Sequence, residues 1–108
     1  MTYTTVDFGK DLKKFLTEKR DMSEVVRLAH KIDFGKNIEK FLSKKRTIEE
    51  IAQWAYKVYL DKGLEISPEA DDVIMALVYM EEGKEYEIPM EEIHKIADKL
   101  SKGEKVDI

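Results

Sequence analysis

Residues 7–32 read DFGKDLKKFLTEKRDMSEVVRLAHKI, residues 33–58 read DFGKNIEKFLSKKRTIEEIAQWAYKV, and the second stretch repeats the first at an offset of 26 positions. The offset matches Asp7 with Asp33, Phe8 with Phe34, Gly9 with Gly35 and Lys10 with Lys36. Further on it matches Lys14/Lys40, Phe15/Phe41, Leu16/Leu42, Lys19/Lys45, Arg20/Arg46, Glu24/Glu50, Ala29/Ala55 and Lys31/Lys57. Most mismatches keep their character, as in Leu12/Ile38, Thr17/Ser43, Met22/Ile48 and Val25/Ile51.

Within each copy the apolar residues fall at helical spacing. Phe8, Leu12, Phe15 and Leu16 form one run, and Met22, Val25, Val26, Ala29 and Ile32 the next. The second copy gives Phe34, Ile38, Phe41 and Leu42, then Ile48, Ile51, Ala52, Ala55, Val58 and Tyr59. Intervals of three and four place each run on one face of a helix. Between the runs stand Asp21-x-x-Glu24 and Thr47-x-x-Glu50, pairs in which a side-chain oxygen and a carboxylate three residues on satisfy backbone N–H groups at a helix start. Each copy therefore predicts a helical hairpin, and neither can bury its stripe alone. A solenoid is excluded, since 26 residues is shorter than the usual repeat units and two copies are too few. Gly9 and Gly35 are expected to serve structure, by letting another backbone come close.

The chain of 108 residues is expected to form one domain, residues 1–108, with a core that needs no staples. It has no cysteine, which excludes disulfides and thiolate metal sites and fits a cytoplasmic setting. MTYTTVDFGK has neither the basic nor the apolar region of a signal peptide, and Val73–Met80 is too short to cross a bilayer. Net charge is −4 but unevenly spread: residues 1–64 carry 14 bases and 10 acids, residues 65–108 carry 5 and 13. That split predicts a basic end and an acidic end.

Along the chain, residues 1–6 form a polar lead, frayed or laid against the bundle. The helix at about 47–62 is nearly apolar all round, with a polar strip at Glu50, Gln53, Lys57 and Asp61, and is expected to be central and buried. Gly63-Leu64 reads as its C-cap with a hydrophobic contact. Ser67-Pro68-Glu69 starts the next helix, which runs to about Glu82 before Gly83. Residues 84–88 read as an extended connector, Pro89 opens a last helix ending at Gly103, and the tail EKVDI is expected to be mobile. The fold class is all-α: a compact bundle of about six helices, built on the duplicated hairpin and closed by an acidic helical pair at 67–102.

Few constellations carry chemistry. Glu91-x-x-His94 is half of a di-iron ligand set, which needs a second such pair and two further glutamates. His30 has Arg27 beside it, and a cation is no ligand; a surface histidine bonded to a neighbouring carboxylate is the ordinary account of His94. No G-x-S-x-G or phosphate loop occurs, so no enzymatic activity and no cofactor is expected. Lys13-Lys14 with Lys19-Arg20, and Lys40 with Lys44-Lys45-Arg46, could grip nucleic-acid phosphates. The same residues at helix C-termini also complement the helix dipole.

The acidic stretch is the most distinctive feature. From Glu65 to Glu92 stand Glu65, Glu69, Asp71, Asp72, Glu81, Glu82, Glu85, Glu87, Glu91 and Glu92, against Lys84 alone. A solvated face is the ordinary meaning of such a run. Here, however, Tyr79, Met80, Tyr86, Ile88 and Met90 are interleaved, and interfaces are enriched in Tyr and Met. The candidate partner-binding residues are Asp71, Asp72, Glu81, Glu82, Glu85, Tyr86 and Glu87, and the partner they suit is a basic protein.

Phe41-Leu42-Ser43, then Thr47-Ile48-Glu49-Glu50-Ile51-Ala52, then Glu81-Glu82-Gly83 and Glu85-Tyr86-Glu87 ahead of a last amphipathic helix, resemble the colicin D-type immunity proteins of bacteriocin self-protection. The resemblance covers residues 33–100. It implies a small helical bundle whose acidic surface blocks the basic active site of a tRNA-cleaving toxin. Two other readings stand beside it: a nucleic-acid-binding or regulatory module using the basic hairpin ends, and a structural oligomerisation domain.

Overall fold

The computed structural model describes residues 2–18 and 46–106. Among them run four α-helices: α1 (Thr5–Thr17), α2 (Ile48–Lys62), α3 (Pro68–Val78) and α4 (Met90–Ser101). Short 3-10 turns occupy Gly63–Glu65, Tyr79–Glu82 and Lys84–Tyr86. The described residues are helical, as expected, and hold no strand. The helices expected near 22–32 and 34–42 lie outside them, together with His30, Gly35 and Phe41, so the count of six and the complete hairpins rest there.

Three of the four described helix starts are capped by a local side chain. Thr4 Oγ1 accepts from Asp7 N while Asp7 Oδ2 accepts from Thr4 N at 3.0 Å, a reciprocal cap that begins α1 inside the expected polar lead. The bond from the Thr4 N–H holds the Asp7 carboxyl below the usual aspartate range. Thr47 and Glu50 form the same reciprocal cap on α2, and Ser67 Oγ accepts from Ala70 N with Pro68 at the first position of α3.

The lead itself is not frayed. Tyr3 forms an isolated parallel bridge with Ile66, donating to the Glu65 carbonyl at 2.6 Å and accepting from Ser67 N at 2.9 Å. Its ring is buried and its hydroxyl donates to Asp11 Oδ2 at 2.6 Å. Burial, and then the bond to Asp11, push that phenol well above the ordinary tyrosine range.

Among the described residues, Phe8, Leu12, Ile51, Ile74, Leu77 and Ile93 are the large side chains wholly removed from solvent. Each contributes about 1.5–3 kcal/mol by leaving water. Helix α1 lies chiefly along α4, and α2 along α3. Trp54 joins the pairs: the Phe8 ring stacks on it at 5.4 Å and the Phe15 ring at 4.8 Å. The first helix of one copy thus packs on the second helix of the other.

Several expectations need correction. Helix α2 is buried only along Glu50, Ile51, Ala52 and Ala55, while Tyr56, Tyr59 and Leu60 face solvent. Its apolar residues circle the helix, whereas its described neighbours cover one side. Glu50 does not belong to the polar strip, because Arg46 draws it inside. Gly63 has φ of +49° at the end of α2, yet Leu64 stands fully exposed without the expected contact. Helix α3 ends at Val78 rather than near Glu82, giving way to the tighter turn, and residues 84–86 are a 3-10 turn rather than extended. The tail is anchored at least to Val106, which packs against the core.

Candidate protein-binding surface

Where α3 tightens into its 3-10 turn, the chain makes a ledge held by backbone bonds. Tyr86 N donates to the Gly83 carbonyl at 3.1 Å and Glu87 N to that of Lys84 at 3.2 Å. Met80 is buried below, and its Sδ accepts from Ile88 N at 3.5 Å. These contacts turn the side chains between outward. Glu81, Glu82, Glu85 and Glu87 are exposed, and Tyr79 and Tyr86 are half exposed, at 51% and 53%. Among the described residues none of these four glutamates is ion-paired.

Beside the ledge lies an open cleft of about 590 Å³, lined by Ile48, Glu49, Gln53, Met80, Glu81, Gly83, Lys84 and Glu87. Ile48 and Met80 give it apolar lining, and three carboxylates, Glu49, Glu81 and Glu87, outnumber the one lysine, Lys84, so it can accept a cationic group on an aliphatic stem. Glu49 is braced by Gln53 Nε2 at 3.3 Å. The sequence reading missed Glu49 and Gln53. Thr47-x-x-Glu50 does put Glu49 in an exposed first turn, but that this turn faces the end of α3 is a long-range fact.

The seven expected site residues are not brought together as one patch. Asp71 and Asp72 stand in the first turns of α3, a helix of 11 residues and about 16 Å, with the ledge at its far end. Asp71 is partly covered, and Asp72 lines a different cleft, of about 480 Å³, with Glu69, Val73, Leu100 and Glu104. The surface therefore narrows to Glu81, Glu82, Glu85, Tyr86 and Glu87, joined by Glu49.

Arg46, read as a phosphate gripper or a dipole partner, is buried: it pairs with Glu50 at 3.4 Å and lies 4.2 Å over the Phe15 ring. His94 is exposed on α4. The neighbouring Asp98 carboxylate is bound by Lys102 and Lys13, each at 3.0 Å, and not by His94. The bonds from Lys102 and Lys13 hold Asp98 below the usual range, and Asp98 raises Lys102. Among the described residues no three His, Cys, Asp or Glu side chains converge on one point, and no helix is long and apolar enough to cross a membrane.

No family model, curated protein or solved structure matches the chain.

Proposed function

We propose that the chain is a non-catalytic binding module whose acidic ledge engages a basic protein. The partner in this reading is a toxin nuclease, neutralised in the cytoplasm as an immunity protein would do. The observation that carries the reading is the ledge itself: four exposed glutamates without ion-pair partners among the described residues, flanked by two half-exposed tyrosines. Uncompensated like charges held on a tight turn repel one another, and a cationic partner relieves that repulsion. Arg46 is withdrawn from any nucleic-acid surface by its burial, which leaves the rival phosphate-binding reading poorer by one cation.

The test mixes the purified chain with a basic tRNA-cleaving toxin domain and follows cleavage of tRNA on gels. Protection near equimolar ratio is expected. A variant with Glu81, Glu82, Glu85 and Glu87 changed to Lys should give none. Undiminished cleavage in a large excess of the native chain would sink the immunity reading.

Self-association is favoured by a separate observation. Tyr56, Tyr59, Leu60 and Leu64 are exposed on and just beyond α2, with the two tyrosine rings stacked at 6.5 Å. Light scattering over a concentration series decides it: a constant monomer mass leaves that face without a second copy.

A further inference from the structure

Helix α2 turns an apolar stripe to solvent, on the side away from its buried Ile51 and Ala55. With 3.6 residues per turn, Gln53, Tyr56 and Leu60 fall within about 60° of one another around the helix. All three are exposed, and exposed Leu64 follows just beyond the helix end. The Tyr59 ring steadies Tyr56 from one flank, stacked on it at 6.5 Å. Lys57 and Asp61 stand together on the other flank, four residues apart and both exposed. Among the described residues neither of them forms an ion pair.

This arrangement complements itself. A two-fold axis that passes between two antiparallel helices, at right angles to both, puts like flank beside like flank. An axis level with Tyr59 brings Lys57 of each chain to Asp61 of the other, because the two residues stand equally far from Tyr59 in sequence. Both charges are then met at once, on one side of the seam. The apolar stripe chooses the same level independently. Along the seam the order becomes Tyr56, the partner's Leu60, Leu60 and the partner's Tyr56, succeeding one another every 3 Å or so at about 1.5 Å of rise per residue. Side chains of the two copies thus alternate rather than collide.

Resting on the self-association reading above, we infer that α2 pairs antiparallel with α2 of a second copy of this chain, through Tyr56 and Leu60 and two reciprocal Lys57–Asp61 contacts. A parallel pair does not serve, since it sets the Lys57–Asp61 flank against the partner's Tyr59 flank and leaves both charges unmet. One helix face is well short of the roughly 20–30 residues a side that a standard interface uses, so the dimer dissociates on dilution.

Sedimentation equilibrium across a concentration series tests the pairing in the native chain, in Lys57→Asp, in Asp61→Lys and in an equimolar mixture of those two variants. The native chain is expected to pass from monomer to dimer as concentration rises. Either variant alone sets like charges at both contacts, and its dimer should weaken by about tenfold or more. In the mixture an acidic pair meets a basic pair, so association should return to about the native strength. Both positions are exposed, so melting curves should match that of the native chain. Leu60→Gln leaves the charges alone and should weaken the native dimer as much. A native chain that stays monomeric throughout overturns the inference together with the reading it rests on. A native dimer that neither charge variant weakens, or that Leu60→Gln leaves undiminished, keeps self-association and overturns the antiparallel pairing. So does a mixture that associates no better than its components.

Discussion

Gly9 of α1 and Leu100 of α4 meet where the two helices touch almost backbone to backbone. A Cβ built on Gly9 would lie 2.5 Å from Leu100 Cβ and 2.5 Å from Ser101 N, closer than real atoms approach. Glycine inside a helix forgoes about 1 kcal/mol of propensity relative to alanine. Here the close crossing repays it, because the shared core of Phe8, Leu12, Ile96 and Leu100 seals. Gly9→Ala is expected to destabilise by about 1–3 kcal/mol, the usual range for overpacking. Urea denaturation checks it, and a gain in stability would mean that the helices can part freely.

Arg46 and Glu50 form a buried pair at 2% and 8% exposure. Removing one partner of such a pair costs about 3–5 kcal/mol, since the other charge is left in a poor solvent. Arg46→Met should fall at the low end, because Glu50 keeps its bond from Thr47 N at 3.1 Å. Combining it with Glu50→Gln should recover part of the loss. A double-mutant cycle showing additive effects would contradict the pairing.

Phe8 is wholly buried, whereas Phe15 is partly covered between Trp54 and the Arg46 guanidinium. Phe8→Ala is expected to cost about 3–5 kcal/mol and Phe15→Ala distinctly less. Both should alter Trp54 emission. Equal losses would mean that the faces of α1 are misassigned.

Stability should fall at both ends of the pH scale. Asp7 and Asp98 are held below the ordinary aspartate value, so their contribution is present above about pH 4 and is lost as pH falls through their folded values. Tyr3 is raised, so its contribution is present below about pH 10 and is lost as pH rises beyond that. Tyr3→Phe should lower neutral stability by about 1 kcal/mol through the lost bond to Asp11, while flattening the alkaline limb. Melting curves across pH read both limbs; an unchanged alkaline limb in Tyr3→Phe would assign it to other groups.

Reversing Glu81, Glu82, Glu85 and Glu87 to Lys should leave the melting temperature unchanged or slightly raised, because their side chains are exposed and removing acids near the end of α3 favours its dipole. If binding resides on the ledge, affinity for a basic partner should vanish in the same variant. Gln at these positions should mainly slow association, since rim charges steer encounter. Tyr86→Ala should instead speed dissociation. Native affinity in the charge-reversed protein would reduce the ledge to a solvated face.

The sequence by itself determined what depends on neighbours within about four residues. Thr47 with Glu50, Ser67 with Pro68, and Gly103 with its φ of +80° mark helix starts and a stop because caps are local hydrogen bonds and local dihedrals. The helical character of the described residues was legible for the same reason. Which helices meet was not. The apolar stripe of residues 8–16 recurs at 34–42, so hydrophobic pattern alone offers two sequences for one seat. The seat beside α4 goes to the copy whose polar residues fit: Lys13 reaches Asp98, where the matching Glu39 would bring like charge, and Thr4 caps α1, where the matching residue is His30. Tertiary structure likewise decided that Arg46 and Glu50 go inside, that Asp72 parts from Glu81, and that Glu49 joins the cleft. Those outcomes depend on residues tens of positions apart, where repeat and periodicity are silent and only packing can choose.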